Sequence, residues 1–229
     1  MSQEASRSDA PSPDASRLIT DRLAATRLLP VVVINRAGDA RPLADALAEG
    51  GLRTAEVTMR TPAAMDAIRA LADVPDLLVG AGTVLTTAHV DQAVDAGASF
   101  IVSPGFSAQV VTRCATLGVP VFPGVASPSE IMLAFEHGLR TLKFFPAEQL
   151  GGVPMIKALA APFADARFIP TGGMTAASLP DYLALPAVLA VGGSWMVAPK
   201  LLDAGDWKEV TRLTAEAVAL AKESPNAAA

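Results

Sequence analysis

Two ionisable residues stand in stretches otherwise written for a buried strand. Lys143 lies in Arg140-Thr-Leu-Lys-Phe-Phe-Pro-Ala-Glu148, and Glu56 lies in Thr54-Ala-Glu-Val-Thr-Met59. Side chains alternate along a strand, so Thr141, Lys143 and Phe145 share one face while Leu142 and Phe144 take the other. The same alternation puts Glu56, Thr58 and Arg60 together. Taking an amine out of water disfavours its ammonium form, and the free amine is the species that attacks a carbonyl carbon to form an imine. A carboxylate in a dry strand is costly unless something pairs with it. Three readings follow: a Schiff-base lysine with a proton-moving glutamate beside it, a buried ion pair of little net stabilising effect, or a lysine snorkelling from an edge strand. Perturbed titratable groups cluster at functional sites, which favours the first. Lys157, Lys200, Lys208 and Lys222 fall in helical or loop stretches and read as solvated charge.

A second constellation is made of small residues. Thr171-Gly172-Gly173 and Gly192-Gly193-Ser194 expose backbone N–H groups with no Cβ in the way, and each is placed to open a helical turn whose dipole favours an anion. Each pair alone reads equally well as a tight turn. Ala81-Gly82-Thr83 and Ser103-Pro104-Gly105 leave room beside the lysine, and the Thr83 hydroxyl suits a carboxylate or carbonyl oxygen. Arg60 is the natural cation for a substrate carboxylate, or else one half of a rim salt bridge.

The elements that must position these groups recur as strand-then-helix units. Leu28–Ile34 is a continuous β-branched run followed by a helix over Asp39–Glu49, and the pattern repeats through strands at Thr54–Met59, Leu77–Gly80, Ser99–Val102, Val119–Phe122, the Lys143 stretch, Arg167–Pro170 and Val188–Val191. Eight such units, without a Gly-x-Gly-x-x-Gly fingerprint, predict an α/β protein folded as a closed (β/α)8 TIM barrel. Leu18, Ile19 and Leu23 place an extra N-terminal helix ahead of it. The barrel domain is expected over residues 17–222, with disordered tails at 1–16 and 223–229. Gly and Pro gather after strand after strand, and in a barrel those ends form the functional rim.

Composition narrows the partners. A formal charge of -5 gives no basic face for nucleic acid, and no apolar run reaches the ~20 residues that span a bilayer. The expectation is a small-molecule partner, with no nucleic acid and no membrane. The first residues lack the apolar region of a signal peptide, and Cys114 is the only cysteine, so a cytoplasmic setting is expected. Cys114 falls in a helical pattern and reads as core. With His89 and His137 the only histidines, no metal site and no cofactor are expected.

The motifs Glu56-Val-Thr-Met-Arg-Thr61, Gly80-Ala-Gly-Thr-Val84, Ser103-Pro-Gly105, Lys143-Phe-Phe-Pro-Ala-Glu148, Pro170-Thr-Gly-Gly173 and Gly192-Gly-Ser-Trp195 occur in this order. Together they resemble the 2-keto-3-deoxy-6-phosphogluconate and 4-hydroxy-2-oxoglutarate aldolase family, from about Thr20 to Lys222. The resemblance implies a metal-independent class I aldolase on a (β/α)8 barrel, commonly a homotrimer, acting on a phosphorylated 2-keto acid in the Entner-Doudoroff pathway. It implies that Lys143 forms the imine with pyruvate and Glu56 moves the protons. Arg60 and Thr83 would hold the pyruvyl carboxylate, with Pro104 and Phe145 beside the substrate and Thr171 acting on the choice of C4 epimer. Gly172, Gly173, Gly192, Gly193 and Ser194 would take the phosphate. Val33-Ile34-Asn35-Arg36 departs from the Leu-Arg of some relatives, so no arginine contact is carried over from the first strand. A non-imine sugar-phosphate isomerase or synthase on the same barrel, and a non-catalytic sugar-phosphate sensor, are the competing functions.

Overall fold

A computed structural model describes residues 13–224. Of the tails expected at residues 1–16 and 223–229, residues 1–12 and 225–229 lie outside the described residues, whereas Pro13 to Ser16 belong to the first helix, Pro13–Thr26, and Glu223 to the last, Trp207–Glu223. The strands are β1 Leu28–Val32, β2 Thr54–Thr58, β3 Leu78–Gly82, β4 Phe100–Val102, β5 Val121–Phe122, β6 Gly124–Val125, β7 Thr141–Phe144, β8 Arg167–Pro170 and β9 Val191–Gly193. Helices separate most of them, among them Ala40–Glu49, Ala64–Ala72, Thr87–Asp95, Ala108–Leu117, Pro128–Glu136, Gly152–Ala160 and Leu179–Leu183. Pro199–Ala204 and Trp207–Glu223 follow β9.

All named strand pairs are parallel and form two ladders, β5-β4-β3-β2-β1-β9 and β6-β7-β8. The architecture is thus an α/β fold with parallel sheets, in place of the single eight-stranded ladder expected. The division falls at Pro123, which has no N–H to give a ladder. Its carbonyl still accepts from Lys143 N at 2.9 Å. Between β8 and the β9 region there are two isolated parallel bridges, Phe168↔Val188 and Thr171↔Gly192. The strand expected over Val188–Val191 is displaced: Val188 N donates back to Leu185 O in a turn, and Gly192 and Gly193 pair within β9 against Leu29 and Pro30.

Register fixes which side chains meet. Val31 lies opposite Glu56, Glu56 opposite Gly80, Gly80 opposite Phe100, and Lys143 between Gly124 and Ile169. Parallel partners point to the same face, so these residues define one inner face. The lower part of that face is an apolar cluster of Leu29, Leu78, Phe100, Phe122, Ile169 and Ala190, closed by Ile19 and Leu23 of the first helix. The opposite face packs under the helices and holds Leu28, Val32, Val57, Ile101, Phe144 and Phe168. Burying each such aliphatic or aromatic side chain contributes about 1.5–3 kcal/mol. Phe144 therefore packs outward, edge-on to Phe168, as alternation predicts.

Polar caps set the helix entries that follow the strands. Thr86, Ser107 and Ser127 accept from the N–H groups of His89, Val110 and Glu130. At the last of these, Glu130 Oε2 reaches back to Ala126 N at 2.8 Å and to Ser127 Oγ at 2.9 Å. Such caps stabilise a helix by about 1 kcal/mol each and fix where the preceding loop ends.

Candidate active site

Above the apolar cluster the inner face turns polar. Lys143 Nζ lies 3.1 Å from Glu56 Oε1, with 7% and 1% of the two side chains exposed. The pair comes from β7 and β2, residues 87 apart in sequence. Space for the carboxylate is left by β3: a Cβ on Gly82 would lie 2.2 Å from Glu56 Oε1, so the small residues expected to leave room beside the lysine leave it beside its partner. The other carboxylate oxygen, Oε2, is buried without a hydrogen-bond partner among the described residues. An ion pair kept for structure alone is favourable only when its remaining lone pairs are satisfied. This one holds an acceptor in reserve within reach of an amine.

Beside the pair, a single cleft that neither member of it lines gathers most of the other sequence-predicted residues. This cleft of about 590 Å³ is lined by Arg60, Phe145, Thr171, Gly172, Gly173, Gly192, Gly193 and Ser194, together with Val31, Val33, Met174, Thr175 and Pro199. The Phe145 ring links cleft and pair, its centroid lying 5.4 Å from Lys143 Nζ. The Phe145–Pro146 peptide that follows is cis. Among the described residues the Arg60 guanidinium has no ion-pair or hydrogen-bond partner, which removes the rim salt bridge as its explanation. It is exposed and available to an anion.

Thr83 and Pro104 stand outside the lining of this cleft. Thr83 follows Gly82 directly and is half-buried with φ 58, a left-handed conformation that a β-branched residue adopts only under constraint. Strain of this kind gathers at ligand sites. The Pro104 carbonyl packs against Gly124, the register partner of Lys143, while Ser103 Oγ donates to Gly105 O at 2.8 Å.

The anion-loop expectation needs correcting in its mechanism. The helix after Gly172-Gly173 starts only at Leu179 and has 5 residues, so no helix dipole points from that pair. What the pair offers is backbone: the Gly173 N–H makes no hydrogen bond among the described residues, while that of Gly172 faces Gly192 across the bridge Thr171↔Gly192. The second loop fits the expectation better, because the short 3-10 turn Trp195–Val197 begins directly after Ser194.

Val31, Val33 and Pro199 were not foreseen as lining residues, though alternation along β1 places Val31 and Val33 on the face of Leu29. Arg36 is occupied elsewhere, bonded to Asp39 Oδ2 at 2.9 Å and to the carbonyls of Leu202 and Asp203. Its contact with Asp39 raises its pKa further. Cys114 is fully buried, and burial pushes its thiol up to about 12, so it is core. Lys157, Lys200, Lys208 and Lys222 are exposed on helices. Among the described residues no group of three His, Cys, Asp or Glu is placed to hold a metal ion, and no helix is long and apolar enough to cross a membrane.

Residues 19–213 match the family model for KDPG and KHG aldolase. The chain belongs to this family. It is 51% identical over 197 residues to the 2-dehydro-3-deoxy-phosphogluconate aldolase of Treponema pallidum, covering 86% of this chain and 94% of that one. Its fold superposes with a TM-score of 0.84 on the 2-keto-3-deoxy-6-phosphogluconate aldolase of Zymomonas mobilis solved with 3-phosphoglycerate, at 44% identity and with 90% and 97% of the two chains covered. The KDPG aldolase of Legionella pneumophila, solved with pyruvate captured as a covalent carbinolamine intermediate, gives a TM-score of 0.83 at 42% identity, with 86% and 96% covered.

Proposed function

We propose that this chain is a class I, Schiff-base aldolase that cleaves 2-keto-3-deoxy-6-phosphogluconate to pyruvate and glyceraldehyde 3-phosphate. Its second, unphosphorylated substrate is 4-hydroxy-2-oxoglutarate, which yields pyruvate and glyoxylate. The observation that carries this is the buried contact of 3.1 Å between Lys143 Nζ and a glutamate whose second oxygen has no partner among the described residues. The carbinolamine captured in the Legionella relative supports the same chemistry.

In this reading the free amine of Lys143 attacks C2 of the 2-keto acid, and the carbinolamine hydroxyl takes a proton from solvent to leave as water. Loss of water leaves an iminium, an electron sink adjacent to C3. Glu56 then removes the C4 hydroxyl proton, directly or through water. The C3–C4 bond breaks, its electron pair forms the enamine and the aldehyde leaves. Protonation at C3 by the same carboxylic acid and hydrolysis of the imine release pyruvate and restore Lys143. One carboxylate acts as base and then acid, which burial beside the amine permits.

Arg60 and Thr83 hold the pyruvyl carboxylate, Pro104 and Phe145 flank it, and Thr171 bears on the C4 configuration. Gly172, Gly173, Gly192, Gly193 and Ser194 take the phosphate through their backbone and hydroxyl groups. Contacts to this remote end hold C4 in place for cleavage. The two ladders read as staves of one closed (β/α)8 barrel, β5 and β6 forming a single stave bent at Pro123. The homotrimer and the cytoplasmic setting belong to the same proposal. A panel following pyruvate release tests the function: the expected result is turnover of both substrates with the higher kcat/KM for the phosphorylated one. No pyruvate from either would overturn it.

A further inference from the structure

One carboxylate of the Lys143 motif takes no part in the chemistry above. Glu148, five residues past Lys143, accepts a 2.6 Å hydrogen bond at Oε1 from the hydroxyl of Tyr182, a side chain 1% exposed in the core. This is a short, charge-assisted bond. Burial first, and then the neighbouring Glu148 charge, raise the Tyr182 pKa, so the phenol stays a donor across the neutral range.

The backbone of the same segment is tied to the glycine loop. Ala147 N donates to Thr171 O at 2.8 Å, and Glu148 N donates to Gly172 O at 3.2 Å. The side chain adds to this, since a Cβ on Gly173 would lie 2.6 Å from Glu148 Cγ. Gly173 therefore rests directly on the Glu148 stem, and Tyr182 fixes the far end of that stem. The N–H of Gly173, which makes no hydrogen bond among the described residues, and that of Gly172, turned toward Gly192 by the bridge Thr171↔Gly192, are aimed by what lies beneath them.

We propose that Glu148, held by Tyr182, is a positioning residue that sets the backbone of Gly172 and Gly173 for the phosphate end of the substrate and so governs the preference for phosphorylated 2-keto acids. The inference rests on the reading of these glycines as phosphate ligands. Glu148 does not itself bind phosphate, because a carboxylate repels it. Its work is done through the loop, and an amide that still accepts from Tyr182 preserves it.

Steady-state kinetics on Glu148→Ala, Glu148→Gln, Tyr182→Phe and Glu148→Ala/Tyr182→Phe test this with 2-keto-3-deoxy-6-phosphogluconate and 4-hydroxy-2-oxoglutarate. For Glu148→Ala and Tyr182→Phe the KM for the phosphorylated substrate should rise roughly tenfold, the loss of one charge-assisted hydrogen bond. Both constants for the unphosphorylated substrate should stay within about twofold of the parent. Glu148→Gln should resemble the parent, and the double variant should be no worse than Glu148→Ala, because the two residues act as one device. Equal losses on both substrates, no loss in Glu148→Ala, or a Glu148→Gln variant as impaired as Glu148→Ala would overturn the inference. Ser194→Asp separates the two levels, since it places a like charge at the other phosphate loop. If it leaves the ratio between substrates unchanged, the phosphate reading fails and this inference with it; if it alters the ratio while Glu148→Ala does not, only the positioning role fails.

Discussion

Leu29, Leu78, Phe100, Phe122 and Ile169 fill one half of the inner face of the strands, and Glu56, Lys143 and Thr171 occupy the other. Both halves are dry and both are drawn from the same strands. In the lower half large apolar side chains meet across the space, and Ile19 and Leu23 cover the end. Along β3, Leu78 lies below, Gly80 makes room for the Phe100 ring of the lower half, and in the upper half Gly82 leaves its space to Glu56. The lower half supports the fold. The upper half gives up packing, leaves a carboxylate oxygen without a partner among the described residues, and in return holds an amine and a carboxylate in contact. Alternation decides which face a side chain takes, while side-chain volume along that face decides which half is scaffold and which is site.

The contrast can be broken by substitution. Glu56→Gln removes the proton carrier while keeping the shape, so kcat should fall about 10²–10⁴-fold, the usual worth of a positioned acid–base group. Imine formation should survive, read as retained borohydride trapping; normal turnover would remove Glu56 from the mechanism. Gly82→Ala tests whether empty volume is part of the site, since the new methyl must displace Glu56 Oε1. A displacement of this size should cost about 10²-fold in kcat/KM, with the circular dichroism spectrum of the folded parent retained. An unchanged rate would mean that the carboxylate position is not critical.

Phe100→Ala reaches the lower half and should do the reverse. Chemical denaturation should show a loss of about 3–5 kcal/mol, with kcat per folded molecule close to the parent's. A selective loss of kcat without a loss of stability would mean that the two halves are not separate.

Much of the site was legible because its residues break local rules. A charge inside an apolar strand is an anomaly that periodicity alone exposes, and Lys143 and Glu56 were found that way. The same period of two assigned Phe145 to the cleft and Phe144 to the helix-packed face. What local rules could not supply was pairing. Gly192 and Gly193 read as a loop, because glycine weakens a strand, yet ladder bonds to β1 draw them into β9. Pro123 read as the end of a strand, whereas pairing resumes with β7 immediately after it. The Tyr182–Glu148 bond spans 34 residues and joins a short helix to a 3-10 turn, so nothing in either stretch announces it.

The central claim is that Lys143 is the amine that bonds carbon. Incubation with pyruvate and borohydride, followed by peptide mass spectrometry, tests it directly. The account predicts one reduced pyruvyl adduct on the peptide carrying Lys143, none without pyruvate, and none in Lys143→Ala, which should also lose aldolase activity. An unmodified Lys143 peptide after treatment, or an adduct on an exposed lysine such as Lys157 in its place, would contradict the account.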